Sequence, residues 1–319
     1  MPYGWPSTRI EWANLTTVAG NPEPIPEASV MLTGGPDVVT LKGIQGFDAP
    51  PAQIYYDELS NTDGGYFREA RNMTREVFIP VQIFGEDRNA FLTNKRNLLR
   101  MLNPARGLGR LTVTEGDSSA RYLDCIYSGG AEGSYGKEDS GFLWQKYGLT
   151  FRAIDPYWYA GSVVEYNFSS ASEQMKPFFG TPFFGLAINR THSINQGVTL
   201  EITGDVDTWP TWLITGPCNG ITFEVQAGAT IRKFGLSDLQ LNAGQQVFID
   251  TRPGRRRITL VDPDGGGPTQ GDNIWESLDV GDAFWAVVAG TQNLVTISMN
   301  ESGSTSSVNL KYRPRFYSA

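Results

Sequence analysis

Two patterns of sequence meet in the stretch Leu149-Thr150-Phe151-Arg152-Ala153-Ile154-Asp155-Pro156-Tyr157-Trp158-Tyr159. Pro156 cannot donate to a central ladder and biases Asp155 away from the helical region, so the strand-like run must stop or reach a sheet edge there. A half that contains a helix precedes this point, and a half of strands and turns follows it. We therefore predict two domains, residues 1–159 and 160–319, with a hinge formed by Asp155, Pro156, Tyr157 and Trp158.

The composition is that of a folded globular protein. The 319 residues are 40% hydrophobic and 19% charged, and 36 glycines and 19 prolines suit many tight turns. The net charge of −8 disfavours general nucleic-acid binding, because a surface that grips phosphates needs clustered lysines and arginines. The aromatic content of 12% suits both cores and subunit interfaces.

The cysteines, the N-terminal segment and the length of the apolar runs bear on the cellular compartment. Cys125 and Cys218 are the only cysteines and fall on opposite sides of the junction, so we predict two buried, unpaired thiols in a reducing cytoplasm. The segment 1–6 has no basic or apolar signal region. The run from Phe284 to Ala289 is too short to span a bilayer, so we predict no membrane insertion.

The first half combines strand patterns with a dense turn signal. Residues Asn61, Thr62, Asp63, Gly64, Gly65 and Tyr66 form that signal between two strand-like runs, which predicts a hairpin. The run Arg75–Phe84 alternates like a half-buried strand, and Pro80 within it predicts an edge strand or a bulge.

One helix interrupts the strands, over about residues 86–102. Asp87 is the expected N-cap, and Pro104 with Gly107 marks the end. The apolar stripe is narrow, so we expect the helix to lie on a sheet. The stripe is formed by Phe91, Leu92, Leu98, Leu99 and Leu102.

The second half reads as short strands separated by Gly-Pro, Asn-Gly, Ala-Gly and Pro-Gly turns. Each strand can bury one face only if a second sheet covers it, so two stacked antiparallel sheets are the simplest arrangement, a sandwich or jelly roll. The predicted strands are 197–202, 212–215, 221–225, 245–250, 257–261, 284–288, 294–299 and 307–312.

The order and spacing of several segments resemble the distal tail proteins of long-tailed bacteriophages. The resemblance implies a mainly β fold: an N-terminal β-sandwich-like sheet domain with one α-helix, then a galectin-like antiparallel β-sandwich. It is weakest before about Gly34. The segments that carry it are Gly85–Pro104, Gly107–Leu111, Phe151–Trp158, Pro210–Ile221, Val247–Arg252, Trp275–Leu278 and Gly281–Trp285.

The resemblance also implies a function. Members of this family form a sixfold ring at the end of the tail tube, a hub that joins the tube to the tail tip or fibres. DNA would leave through the ring without specific binding, and an acidic chain suits that role because it repels a sliding duplex. We therefore expect a homo-oligomeric virion protein, assembled in the host cytoplasm, with Asn61–Tyr66 as a candidate ring contact.

Catalytic and metal signals are weak. His192 is the only histidine, and no nucleophile-elbow motif surrounds Ser193. Asp262-Pro263-Asp264-Gly265 begins like a calcium loop, but its twelfth position is Asn273 in place of Glu. Carboxylates for a glycosidase exist in turns, where acidic residues are ordinary. We predict no catalytic, cofactor or metal site; the carboxylates considered are Asp205, Asp207 and Asp250.

Arginine and tryptophan clusters leave an alternative function open. The basic segment Arg252–Arg257 is best explained as a solvated loop or a salt-bridged subunit contact, with phosphate recognition as the competing interpretation. Trp212 and Trp285 lie in strand-like runs, which favours core packing. Trp209 and Trp275 are candidates for a sugar-stacking platform, and the alternative function is therefore a carbohydrate-binding module that anchors to host cell-wall glycan.

Overall fold

The structure is a computed structural model that describes residues 8–15, 24–35, 37–61, 63–116, 119–169, 192–261, 271–303 and 305–319. Within it the chain forms two compact units. The first extends to Ser162 and also contains Arg315–Ala319, and the second is Val163–Pro314.

The first unit contains strands and one long helix. The helix α1, Arg88–Met101, lies between the sixth and seventh strands and is followed by a 3-10 turn at Pro104–Arg106. The strands are β1 (Arg9–Leu15), β2 (Pro24–Met31), β3 (Val38–Thr40), β4 (Ala52–Glu58), β5 (Gly65–Asn72), β6 (Arg75–Phe84), β7 (Gly109–Thr114), β8 (Ala120–Gly129), β9 (Trp144–Ala153) and β10 (Trp158–Ala160).

A large antiparallel sheet organises this unit. Its strand order is β2-β1-β7-β8-β9-β6-β3. The short strand β10 also pairs with β8 but lies outside this order. Alternate residues of β6 and β9 are buried, as expected for strands with one face toward a core. Trp12 packs on Phe151 with ring centroids 4.7 Å apart, so β1 and β9 contribute to the same core.

The helix prediction is confirmed. The Asp87 side chain accepts a hydrogen bond of 2.7 Å from the Ala90 N–H, which satisfies one of the free donors at the helix start. Phe91 and Leu98 are buried, and α1 lies against β6 and β2. The narrow apolar stripe is therefore the face that covers the sheet.

Pro80 does not mark an edge strand or a bulge, contrary to the sequence prediction. β6 lies between β9 and β3, and its register with β9 is regular. The Pro80 carbonyl accepts from the Leu41 N–H at 2.7 Å. In an antiparallel strand the nitrogen and carbonyl of one residue point to the same side. The Pro80 nitrogen, which carries no hydrogen, therefore points toward Leu41, just after β3, and not toward β9. The pairing of β6 with β9 loses no hydrogen bond.

The predicted hairpin is confirmed as β4 and β5. The two strands pair with each other and lie outside the large sheet. Gly64 has φ +92°, a backbone region that favours glycine in the turn. Thr62 lies outside the described residues.

The second unit is built of two antiparallel sheets. The six-stranded sheet has the order β11-β20-β13-β16-β17-β18 and the four-stranded sheet β12-β19-β14-β15. The strands are β11 (Val164–Ser169), β12 (His192–Glu201), β13 (Thr211–Thr215), β14 (Cys218–Ala227), β15 (Thr230–Leu241), β16 (Gln246–Asp250), β17 (Arg257–Val261), β18 (Gly271–Asn273), β19 (Gln292–Ser302) and β20 (Ser307–Tyr312).

Both sheets bury side chains in one shared core. Trp212 and Ile249 come from the six-stranded sheet, and Phe223 and Ile297 from the four-stranded sheet. Trp212 packs on Phe223 at 4.6 Å between ring centroids, which joins the two layers directly. The expected mainly β fold, with an antiparallel sandwich in the second half, is confirmed.

Residues 284–287 are buried, but the predicted strand 284–288 is not formed, so that prediction was wrong. Only Val287 forms a bridge, with Thr208. Phe284, Trp285 and Val287 insert into the core as a loop, and Trp285 packs edge-on against Trp212 at 5.8 Å. The apolar run correctly indicated burial. A buried loop and a buried strand have the same apolar pattern, so the pattern could not distinguish them.

The second unit is an insertion into the first, which the predicted boundaries missed. The division falls between Ser162 and Val163, and residues 315–319, predicted to end the second domain, lie in the first unit. There a last strand, β21 (Arg315–Phe316), pairs with β10. This pairing joins residues far apart in sequence, so no local pattern could reveal it.

We expect Trp158→Ala to lower the free energy of unfolding of the first unit by about 3–5 kcal/mol. Trp158 is fully buried and packs edge-on against Phe47 at 5.4 Å, so the substitution leaves a large cavity. Urea unfolding measures the change. The exposed aromatic Phe142 provides the control Phe142→Ala, with a change within about 0.5 kcal/mol. Equal losses in both variants would contradict the assigned core.

Candidate functional site

The hairpin β4–β5 presents an exposed apolar surface. Tyr66 and Phe67 are 67% and 68% exposed. Neighbouring residues of a strand point to opposite faces, so both faces of the hairpin are apolar. Contiguous exposed apolar surface marks interaction sites. We call this set the hairpin surface: Ile54, Tyr55, Tyr56, Leu59, Tyr66 and Phe67.

The hairpin has little internal stabilisation. Arg68 pairs with Asp57, and Arg71 pairs with Glu69 at 2.8 Å, but all four side chains are exposed. Exposed ion pairs contribute little to stability, because solvent screens the two charges. A two-stranded hairpin alone is at best marginally stable in water. The hairpin surface is therefore suited to being covered by another surface.

The junction residues form contacts within the first unit. Asp155 pairs with Arg315 at 2.8 Å and accepts from the Tyr159 hydroxyl at 2.5 Å. Tyr157 packs edge-on against Tyr317 at 5.9 Å, and Trp158 is buried in the core. The role of Asp155, Pro156, Tyr157 and Trp158 as a domain hinge stays a prediction.

Arg75 is a buried cation that binds main-chain carbonyls. Its Nε donates to Pro156 O at 2.6 Å, and its Nη2 donates to Tyr317 O at 2.6 Å. Its Nη1 donates to Gly46 O at 2.7 Å and also to Asp48 O. Burial lowers the pKa of Arg75 to about 10, so the guanidinium remains charged at neutral pH. One side chain thus joins a loop, the junction and the C-terminal segment.

The C-terminal segment 315–319 is held by further contacts. Arg121 Nη1 donates to Ser318 O at 2.9 Å and stacks over the Phe316 ring, with 3.8 Å to its centroid. The Ala319 N–H donates to Phe47 O at 2.9 Å. Sequence reasoning missed this segment, because its arginine and aromatic residues have no partner nearby in the sequence.

Among the candidate catalytic residues, the structure describes the surroundings of the three carboxylates. His192 begins β12, and its side chain lies outside the described residues. Asp250 is buried and pairs with Arg252 at 2.6 Å. Asp205 and Asp207 are exposed, and Asp207 accepts from the Ala289 N–H at 3.0 Å.

Both cysteines are free and buried, as predicted. Burial raises the pKa of the Cys218 thiol to about 11 and raises that of Cys125 further, so both thiols stay protonated at neutral pH. In the part of the chain that the structure covers, no three His, Cys, Asp or Glu side chains are grouped to hold a metal ion. The calcium-like loop falls mostly in 262–270, outside the described residues.

The four tryptophans of the second unit divide between core and surface. Trp212 and Trp285 are buried. Trp209 is partly buried in the loop before β13, and Trp275 is 40% exposed in a 3-10 turn after β18. The two candidates thus lie beside the six-stranded sheet, in connections and not in strands.

An open groove of about 400 Å³ lies at the end of α1. Its lining includes Leu99, Leu102, Pro104 and Tyr127.

Over the ranges that the structure describes, no helix is long and apolar enough to cross a membrane.

Comparison with solved structures gives matches along nearly the whole chain. The SPP1 Dit protein, described as a paradigm of the hub adsorption apparatus in phages that infect Gram-positive bacteria, is 14% identical with a TM-score of 0.59. The match covers 90% of this chain and 96% of that protein. The chain has the Dit fold. The resemblance drawn from the sequence is therefore confirmed at the level of the fold.

Two structures of the phage P2 baseplate in its activated conformation, with Ca and with Sr, also contain chains similar to this one. Each is 9% identical with a TM-score of 0.50, and the match covers 93% of this chain and 99% of the other. No family model matches the sequence, and a search of curated proteins gave no match.

We expect Arg75→Met to destabilise the first unit by about 3–5 kcal/mol, because four carbonyls lose a charged donor. Arg75→Lys should recover only part of the loss, since an ammonium cannot reach all four carbonyls. Hydrogen exchange should rise at Ala319, whose N–H bonds to the loop that Arg75 holds.

The matched control is Arg96→Met, because Arg96 is an exposed residue of α1. It should change stability by about 0.5 kcal/mol or less. Unchanged exchange at Ala319 in Arg75→Met would show that Arg75 does not hold the C-terminal segment.

Proposed function

We propose that this chain is a structural hub protein of a bacteriophage tail and that it assembles as a hexameric ring. The hairpin surface on a Dit fold is the observation that carries the proposal. The fold similarity covers both units. The fold similarity does not identify a contact surface. The hairpin surface is a candidate for one, because it is apolar and no other layer of the first unit covers it.

The asymmetry of this surface supports a ring. A hairpin that protrudes from one side of a subunit contacts a different surface on its neighbour, which is a heterologous interface. Heterologous contacts close into a ring when the rotation between neighbours divides a full turn. Burying Tyr66, Phe67 and their neighbours would favour association, because it removes apolar surface from water.

The ring would connect two parts of a virion. We propose that the tail-tube protein binds one face and the tail-tip or fibre protein binds the other, and that assembly occurs in the host cytoplasm. DNA would pass through the opening without specific contacts. The net charge of −8 supports this passage, because an acidic lining does not retain phosphates.

The role is structural and not catalytic. Asp250 is held in an ion pair with Arg252, and both thiols are protonated and buried. Cys218 lies in the core of the sandwich and Cys125 in the core of the first unit, and burial keeps both thiols protonated, whereas a cysteine nucleophile reacts as its thiolate.

A carbohydrate-binding module is the second candidate function. The exposed Trp275 and the partly exposed Trp209 favour it. The outer face of the four-stranded sheet does not: its described residues are mainly short and polar, without an aromatic ring, and include Asn195, Thr222, Glu224, Gln226, Thr296 and Ser298.

We expect the double substitution Tyr66→Ser and Phe67→Ser to prevent ring formation. The change removes two apolar side chains from the hairpin surface without altering the buried core. Light scattering of the purified full chain over a concentration series measures the mass. The parent should approach six chain masses, and the variant should remain near the 35.1 kDa of one chain.

The matched control is Ile231→Ser, which removes an exposed apolar side chain from β15 in the second unit. This variant should assemble like the parent. A hairpin variant that assembles normally, or a control that fails equally, would place the ring contacts elsewhere.

A further inference from the structure

The turn between β16 and β17 holds its arginines in a fixed conformation. The Arg255 N–H donates to Arg252 O at 3.0 Å, Pro253 occupies the second position, and Gly254 at the third has φ +78°. These are the features of a type II turn. Arg255 and Arg256 are exposed on it, so their backbone is already ordered before any ligand binds.

The positive charge of this turn is only partly compensated. Arg252 binds Asp250 through two contacts, of 2.9 and 2.6 Å, which uses that carboxylate. Among the described residues, no carboxylate lies within ion-pair distance of Arg255, Arg256 or Arg257. Three consecutive arginines therefore have no ion-pair partner among the described residues, on a chain whose net charge is −8.

Arg257 shows the shortage of acceptors most directly. Its Nε is buried and has no hydrogen-bond partner. Burial lowers the pKa of Arg257, and the charges of Arg252 and Arg255 lower it further, while Asp250 opposes them. A negative charge brought to the turn would therefore stabilise the guanidinium.

Aromatic rings flank the arginines on both sides. The Arg256 guanidinium lies over the Trp209 ring, 5.5 Å from its centroid. Trp209 precedes Thr211, which pairs with Asp250, and Asp250 in turn pairs with Arg257. The register thus places Trp209 next to the turn.

Trp275 lies at the same end of the sheet, on the other side. The Ile274 N–H donates to Ile258 O at 3.0 Å, so Trp275 lies beside the start of β17. Its ring packs edge-on against Phe284 at 5.5 Å, which fixes its orientation while 40% of the residue stays exposed. The order across this end is Trp209, the arginine turn and Trp275.

We propose that this end of the six-stranded sheet binds an anionic carbohydrate chain. We call it the arginine–tryptophan corner and define it by Trp209, Arg255, Arg256, Arg257 and Trp275. The guanidinium groups would bind phosphate or carboxylate oxygens on the chain, and the indole rings would pack on its sugar rings. The site deepens the carbohydrate-binding candidate and requires no ring assembly.

Two other anionic partners fit the corner less well. A nucleic acid needs a stripe of basic residues that contacts many phosphates, whereas this corner is a single turn on an acidic chain. An acidic protein needs about 800 Å² of contact surface on each partner, which is larger than one turn with two rings. A carbohydrate chain with spaced charges matches both the size and the mixed chemistry.

The test measures binding of the full chain to four polymers by calorimetry at low and high salt. Phosphomannan and polygalacturonate present phosphate and carboxylate on sugars, dextran is a neutral sugar chain, and poly-L-glutamate is an acidic polypeptide. We expect binding to at least one charged sugar polymer, with weakening as salt rises. The preferred polymer identifies the anionic group.

The double variant Arg255→Gln and Arg256→Gln should lose about tenfold or more in affinity. Trp275→Leu should lose about threefold or more and keep the salt dependence of the parent. The matched control is Arg232→Gln, which removes one exposed arginine from β15 in the other sheet and should bind within about twofold of the parent.

Each contrary outcome overturns the proposed site. These outcomes are no binding to either charged sugar polymer, an equal loss in Arg232→Gln, or poly-L-glutamate bound as tightly as the sugars. Tight binding of dextran that survives the double variant would retain a carbohydrate-binding function but place it elsewhere. Light scattering of the same samples reports ring assembly separately, so failure of the hub role remains distinguishable.

Discussion

The first unit depends on one buried cation, Arg75. Its guanidinium donates to carbonyls of Gly46, Asp48, Pro156 and Tyr317, which belong to three segments remote in sequence. A buried guanidinium is tolerable only where its donors are satisfied, so these segments must meet around it. Tyr317 follows the sandwich in sequence, so the chain must return to the first unit after forming the second for this carbonyl to reach Arg75.

This arrangement separates firmly held parts from parts available for contact. The large sheet of the first unit and the two-layer core of the second bury their aromatic residues and hold the connections. The hairpin surface and the arginine–tryptophan corner remain outside those cores. Order in the cores suits the proposed hub role, because precise assembly requires contact elements that are positioned before the partner arrives.

Local sequence chemistry predicted much of the fold. Asp87 capped α1 as expected, the turn before Tyr66 formed the hairpin, and the alternating runs of the second half formed a sandwich. The misses required information that is not local. Pro80 fits an inner strand because β3 ends early, residues 284–287 form a buried loop, and β21 pairs across the inserted unit. The basic segment and the two tryptophans were recognised separately, but only strand register shows that they lie at the same end of one sheet.

We propose that copies of this chain close into a ring through the hairpin surface. Cryo-electron microscopy of the concentrated full chain, averaged without imposed symmetry, can show whether this ring exists. We expect closed rings of six copies with a central opening and with Tyr66 and Phe67 buried against the neighbouring copy. Particles that are single copies, or closed assemblies whose hairpins point into solvent, would contradict it.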